Sequence, residues 1–176
     1  FEIRVSGKGC HAAMPHLGVD PIAAACQIVS ALQTIASRNV NPLEQLVVSI
    51  TQIHGGDTWN VIPGEVVLRG TVRTFKPSVQ EMAITNMRRI AESIAAGLGC
   101  TAVLDYQKRY PATVNTAAET TLAVQAASAV CGNANVDAQA VPCMGSEDFS
   151  YMLEKRPGCY IWAGNGSADG GRVLHN

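Results

Sequence analysis

The stretch GGDTWNVIPGEVVLRGTVRTF, residues 55–75, sets the fold. Its first part, Gly55 to Pro63, is a loop built on glycine and proline, and Glu65 to Phe75 reads as a β-strand. Immediately upstream, Leu46 to Ile53 carries Val47, Val48, Ile50 and Ile53 and reads as another strand. Two strands therefore follow one another with no helix between them, and the segments on either side decide the topology.

Outward from that pair the pattern is regular. Phe1 to Gly7 alternates Phe, Ile and Val against Glu, Arg and Ser, the period of a half-buried strand. Pro21 opens a helix through about Ser37, with Ile22, Cys26, Val29, Leu32 and Ile35 spaced by fours and threes. Downstream, Ser78-Val79-Gln80-Glu81 has the form of a capping box. It predicts a helix to about Leu98 with Val79, Ala83, Met87, Ile90, Ile94 and Leu98 on one stripe, closed by Gly97 or Gly99. Thr101 to Tyr110 completes the set as a fourth strand. The order β-α-β-β-α-β over residues 1–110 predicts an α+β, ferredoxin-like domain.

Pro111 to Asn115 marks a boundary. Beyond it, Thr116-Ala117-Ala118-Glu119 is a second capping box, opening an alanine-rich helix to Cys131. A strand at Val136 to Val141, a helix opened by Ser146 and a strand at Cys159 to Ala163 are expected next. This remainder, residues 111–176, is too short for an independent doubly wound domain. Phe1 opens inside a strand-like alternation, without an initiator methionine, and Leu174-His175-Asn176 closes on no terminal element. The expectation is a piece of a longer protein.

Thirteen basic against fourteen acidic residues leave a net charge of −1, which supplies no basic patch for nucleic acid. The low aromatic content argues against a base-stacking sheet. No apolar run approaches the ~20 residues of a membrane span. Six cysteines are scattered without a CxxC pair, several in apolar segments, and read as reduced thiols in a cytoplasmic protein.

The polar residues suited to chemistry are few. His11 lies among Gly7, Gly9 and Pro15 after the first strand, where a loop can project an imidazole toward developing negative charge. Asn60 and Arg73 stand at the entrance and exit of the third strand; a guanidinium fork and an amide suit a carboxylate. Each also has a plainer reading, as loop histidine, turn residue and strand-face charge. His16 fits no ligand spacing and His54 has no evident partner. Glu147 and Asp148 read as first-turn acids of the helix that Ser146 caps, in a loop, Gly145-Ser146, whose amides can touch a ligand. Four histidines without clustered cysteines or acids do not complete a catalytic metal site.

Taken together, GKGCHAAMPH, DPIAAACQIVSALQTI, GGDTWNVIPGEVVLRGTVRTF, MGSEDFSYML, PGCYIWAGNG and LHN resemble, in order and over the whole length, the dinuclear-metal amidohydrolases. That family includes hippurate hydrolase, aminoacylases, auxin-conjugate hydrolases and N-acetyl-diaminopimelate deacetylase, and the likeness is nearest to the hippurate and auxin-conjugate branch. The resemblance implies that residues 1–110 are a lid that also forms a homodimer, and 111–176 the returning part of a catalytic domain. It implies hydrolysis of N-acyl amino acids with two divalent metal ions (Zn, Mn, Ni or Co) activating water. By the same likeness His11 stabilises the oxyanion in the partner subunit's site, and Asn60 and Arg73 hold the substrate carboxylate. Gly145 and Ser146 then border the pocket, and His175 is a metal ligand. The upstream ligand motifs of the family are absent, so the chain alone is expected to be inactive. The alternative is a non-catalytic dimerisation or small-ligand-binding module on the same sheet.

Overall fold

The structure, a computed structural model, describes residues 1–164. A first unit comprises Phe1–Arg109, and a second begins at Tyr110.

In the first unit the principal strands are β1 (Glu2–Ser6), β3 (Leu46–His54), β5 (Glu65–Thr74) and β6 (Thr101–Asp105), all antiparallel in the order β3-β5-β1-β6. Helices α1 (Pro21–Thr34) and α2 (Pro77–Gly97) cover one face. This is the ferredoxin-like α+β arrangement expected. Alternate residues Ile3, Val5, Val66 and Leu68 point to the helices and meet Ala24, Ile28, Leu32, Ala83, Met87 and Ala91 in one buried cluster. The other face carries Glu2, Arg4, Glu65, Arg69 and Arg73.

Several local expectations need correction. The buried stripe of α1 is Ala24, Ala25, Ile28, Leu32 and Ile35, while Ile22 and Cys26 are exposed. The small alanines let the helix approach the sheet, which rotates the expected face by a residue or two. Asp20 caps α1, its Oδ1 accepting from Ile22 N at 2.8 Å and Ala23 N at 3.4 Å. Helix α2 begins at Pro77 with Lys76 at the cap, so Ser78 sits inside the first turn and caps nothing. Proline's fixed φ suits the first helical position and takes it. Strand β6 stops at Asp105, which pairs with Glu2; the neighbouring strand ends there, and Tyr106 to Tyr110 have no ladder to join.

The second unit holds α3 (Ala117–Cys131) and a short α4 (Phe149–Leu153). The strands expected at 136–141 and 159–163 are absent among the described residues. Asp137 instead makes a turn, accepting from Gln139 N at 2.8 Å. Near Tyr160 a side chain supplies the pairing: Asn115 accepts from Tyr160 N at 2.8 Å and donates to Tyr160 O at 2.9 Å. Thr116 N donates to Gly158 O at 3.0 Å beside it. The Thr116 hydroxyl bonds Glu119 and Gly158 and caps no amide of α3. Ser146 opens no helix either, because α4 starts three residues later with Asp148 at its cap.

Candidate functional site

His11 lies in a two-stranded ribbon, where the sequence suggested a loop. Strand β2 (Cys10–His11) pairs with β4 (Val61–Ile62), His11 opposite Val61 and Cys10 opposite Ile62. Beyond the ribbon Ala12 N donates to Asn60 O at 2.9 Å, so His11 and Asn60 belong to one tip of the molecule. The turn that follows closes through Met14 N to His11 O, 2.9 Å. Within it Ala13 N donates to His11 Nδ1 at 3.1 Å. His11 is exposed, as are Asn60 and the neighbouring Met14, Leu17 and Val61. Trp59 beside them is wholly exposed, with a relative accessibility of 104%.

Arg73 is elsewhere. It pairs with Val47 near the far end of β5, half-buried, on the face opposite the helices, since its neighbour Val72 packs against the core. The ribbon joins the sheet at the Glu65 end of β5, and Arg73 stands eight residues further along the strand, roughly 26 Å away. One chain thus brings His11 and Asn60 together and holds Arg73 apart. Burial keeps the Tyr106 phenol above its usual range, against a hydrogen bond from Gln80 and the smaller pulls of the Lys108 and Arg73 charges.

The other candidates divide readily. His54 Nε2 lies 3.2 Å from Gln52 Oε1, which also accepts from Arg69 at 3.4 Å. Arg69 binds Glu2, Glu2 binds Arg4 and Arg4 binds Glu65, so His54 ends an exposed polar ladder across the sheet. Hydrogen bonds from Arg69 and then Arg4 hold the Glu2 carboxyl below the usual carboxylate range. His16 is exposed on the 3₁₀ turn Pro15–Leu17. Gly145 is exposed and Ser146 half-buried in the second unit, in an irregular segment before α4. In that segment Glu147 bonds the Tyr160 hydroxyl and, after desolvation, is the next cause raising that phenol's pKa. The expectation for His175 lies outside the described residues. Among those described, no group of three or more His, Cys, Asp and Glu side chains could hold a metal ion. The described residues alone therefore do not supply a dinuclear centre.

The two-residue strands β2 and β4 were beyond sequence reasoning, being too short for any periodicity. The signal that does exist is the pair of glycine- and proline-bounded segments around His11 and Asn60.

A family model for the peptidase dimerisation domain matches residues 1–98. The chain belongs to the peptidase dimerisation domain family. It is 42% identical over 169 residues to an N-acetylcysteine deacetylase of Bacillus subtilis, covering 96% of this chain and 44% of the relative. An N-acetyldiaminopimelate deacetylase of Geobacillus thermodenitrificans is 36% identical over 92% of this chain and 42% of its own length. Among solved structures, a dinuclear metal binding peptidase of Bacillus subtilis from the M20 family superposes with a TM-score of 0.64 at 38% identity. That match covers 89% of this chain and 37% of the other. The dimerisation domain thus spans, with the residues that follow it, about two-fifths of the length of these relatives. No described helix is long and apolar enough to cross a membrane, and all six cysteines are unpaired.

Proposed function

We propose that this chain contributes the lid and part of the catalytic domain of a metal-dependent amidohydrolase acting on N-acyl amino acids. Residues 1–110 would be the lid and 111–176 the returning catalytic segment. The observation that carries the reading is the ribbon tip: an exposed imidazole with one nitrogen already bonded, beside Asn60, in a family whose relatives are deacetylases. Amide hydrolysis places negative charge on the acyl oxygen, and a pre-aimed N–H donor stabilises that charge more than it stabilises the substrate. Arg73 holds the amino-acid carboxylate through a charge-assisted fork, with Asn60 adding a further bond. Gly145 and Ser146 border the substrate, and His175 is a ligand of a two-metal centre whose other ligands lie outside the described residues.

The separation along β5 adds a constraint. A small N-acyl amino acid does not reach from the ribbon tip to Arg73 of the same chain. One site therefore takes His11 and Asn60 from one protomer and Arg73 from its partner in a two-fold homodimer. Unpaired thiols accord with a reducing, cytoplasmic setting.

The test uses a chimera in which this chain replaces the matching 44% of the Bacillus subtilis N-acetylcysteine deacetylase. His11→Ala is expected to lower kcat about 10²–10³-fold. Arg73→Ala is expected to raise KM for carboxylate-bearing substrates far more than for carboxylate-free amides; an equal loss on both removes the carboxylate role. Mixing the two impaired variants should restore activity on a dilute carboxylate-bearing substrate, because each mixed dimer then contains one intact site. A mixture as impaired as its parents rules out the shared site.

A further inference from the structure

We infer that the backbone N–H of Ala13 is a positioning group, which holds His11 as the neutral Nε2–H tautomer and so presets the ring as a hydrogen-bond donor. The inference rests on the oxyanion reading of His11 for its purpose, but not for its test.

The chemistry follows from what each group can do. A backbone amide only donates, so the His11 Nδ1 that it meets at 3.1 Å must offer a lone pair. A neutral imidazole carries one proton, and with Nδ1 accepting, that proton sits on Nε2. The Nδ1–H tautomer puts a hydrogen where the Ala13 hydrogen already points, and must break the turn's bond to form. The same amide thus disfavours the tautomer in which a neutral histidine acts as a base at Nε2. What remains is a ring that lends its Nε2–H to an anion without transferring it.

Two contacts keep the arrangement rigid. Met14 N closes the turn on His11 O at 2.9 Å, and Ala12 N is held by Asn60 O at 2.9 Å. Ala12 and Ala13 each contribute an amide and almost no side chain, so the device is made of backbone and leaves the Nε2 side of the ring open. His54 has no such turn: it meets a side-chain amide oxygen through Nε2. Facing an oxygen that only accepts, His54 Nε2 must donate, so that ring is also held as Nε2–H, by a side chain where His11 is held by backbone.

The experiment is ¹⁵N NMR of the uniformly labelled 176-residue chain at about pH 8.5, where an ordinary histidine ring is neutral. The expected result is a His11 ring with its proton on Nε2 alone and a scalar coupling across the hydrogen bond between the Ala13 amide nitrogen and Nδ1. Replacing the amide of Ala13 by an ester, through ligation at Cys26, deletes the donor and keeps the side chain. It should raise the Nδ1–H share roughly threefold to tenfold. Ala13→Pro removes the same N–H genetically and should act in the same direction. A wild-type ring protonated on Nδ1, a missing coupling, or an ester variant with an unchanged tautomer ratio overturns the inference. None of these readings depends on whether the His11→Ala chimera loses activity.

Discussion

A histidine's role is decided by what its second nitrogen touches, and the three described histidines differ in that contact. His11 is bonded to its own turn through Nδ1, His54 is tied through Nε2 to the ladder across the sheet, and His16 stands exposed on a 3₁₀ turn. The residue types were legible in the sequence; their partners were not, because those partners are backbone atoms placed by strands two residues long. Cysteines follow the same logic. Cys100 is buried behind α2 with its Sγ 3.7 Å from Asp20 O, and burial first, then the Asp20 charge, raises its pKa. The thiolate is the reactive form, and a raised pKa leaves less of it at any pH below that value. In the native chain at pH 8, Cys100 should be alkylated at least about tenfold more slowly than exposed Cys26, Cys131 and Cys143. Peptide mass spectrometry after timed iodoacetamide treatment measures this, and unfolding in urea should bring the four rates together.

Elements were legible where periodicity ran long and opaque where pairing decided. The helices α1 and α2 and the strands β1, β3 and β5 fall close to their expected bounds, because each carries an apolar face that the others bury. The 136–141 and 159–163 stretches have apolar composition but no strand beside them among the described residues, and a strand without a ladder is not a strand. Within the sheet, close approach is as decisive as pattern. Gly70 exchanges hydrogen bonds with Phe1, N-terminal nitrogen to Gly70 O at 2.9 Å and Gly70 N to Phe1 O at 3.1 Å. A Cβ at Gly70 would stand 2.0 Å from Ser49 O and 2.6 Å from the Phe1 ring. Gly70→Ala should therefore cost about 2–3 kcal/mol by urea denaturation, since backbone of β3 must move. Gly97 meets nothing within 4 Å and closes α2. There the same change should stabilise by about 0.5–1 kcal/mol through helix propensity. Equal effects at the two positions would mean that the Ser49 contact is not a constraint.

Burial is divided unevenly over the whole molecule. Every buried hydrophobic side chain among the described residues lies between Ile3 and Leu104, within the first unit. The second unit, as far as it is described, buries only Ser150, while Leu122, Val130, Val141, Ile161 and Trp162 are each more than half exposed. None of the residues of helix α3 is fully buried; only Glu119, Thr120, Ala123, Val124, Ala127 and Ser128 are half-buried, and a helix of fifteen residues is marginal on propensity alone. Cooperative stability scales with apolar surface withdrawn from water, so it should reside almost wholly in the first unit. Residues 1–109 expressed alone are accordingly expected to unfold in urea at the midpoint of the full chain, with a smaller m-value reflecting the surface no longer exposed. Residues 110–176 alone should show helical signal that declines without a transition. Hydrogen exchange gives the same division in the intact protein, with slow amides in α2 and the central strands β1 and β5 and fast ones along α3. A lower midpoint for residues 1–109 would show that the second unit stabilises the first through surfaces the described burial does not account for. An unchanged midpoint would make the first unit the autonomous folding core on which the ribbon tip and Arg73 are mounted.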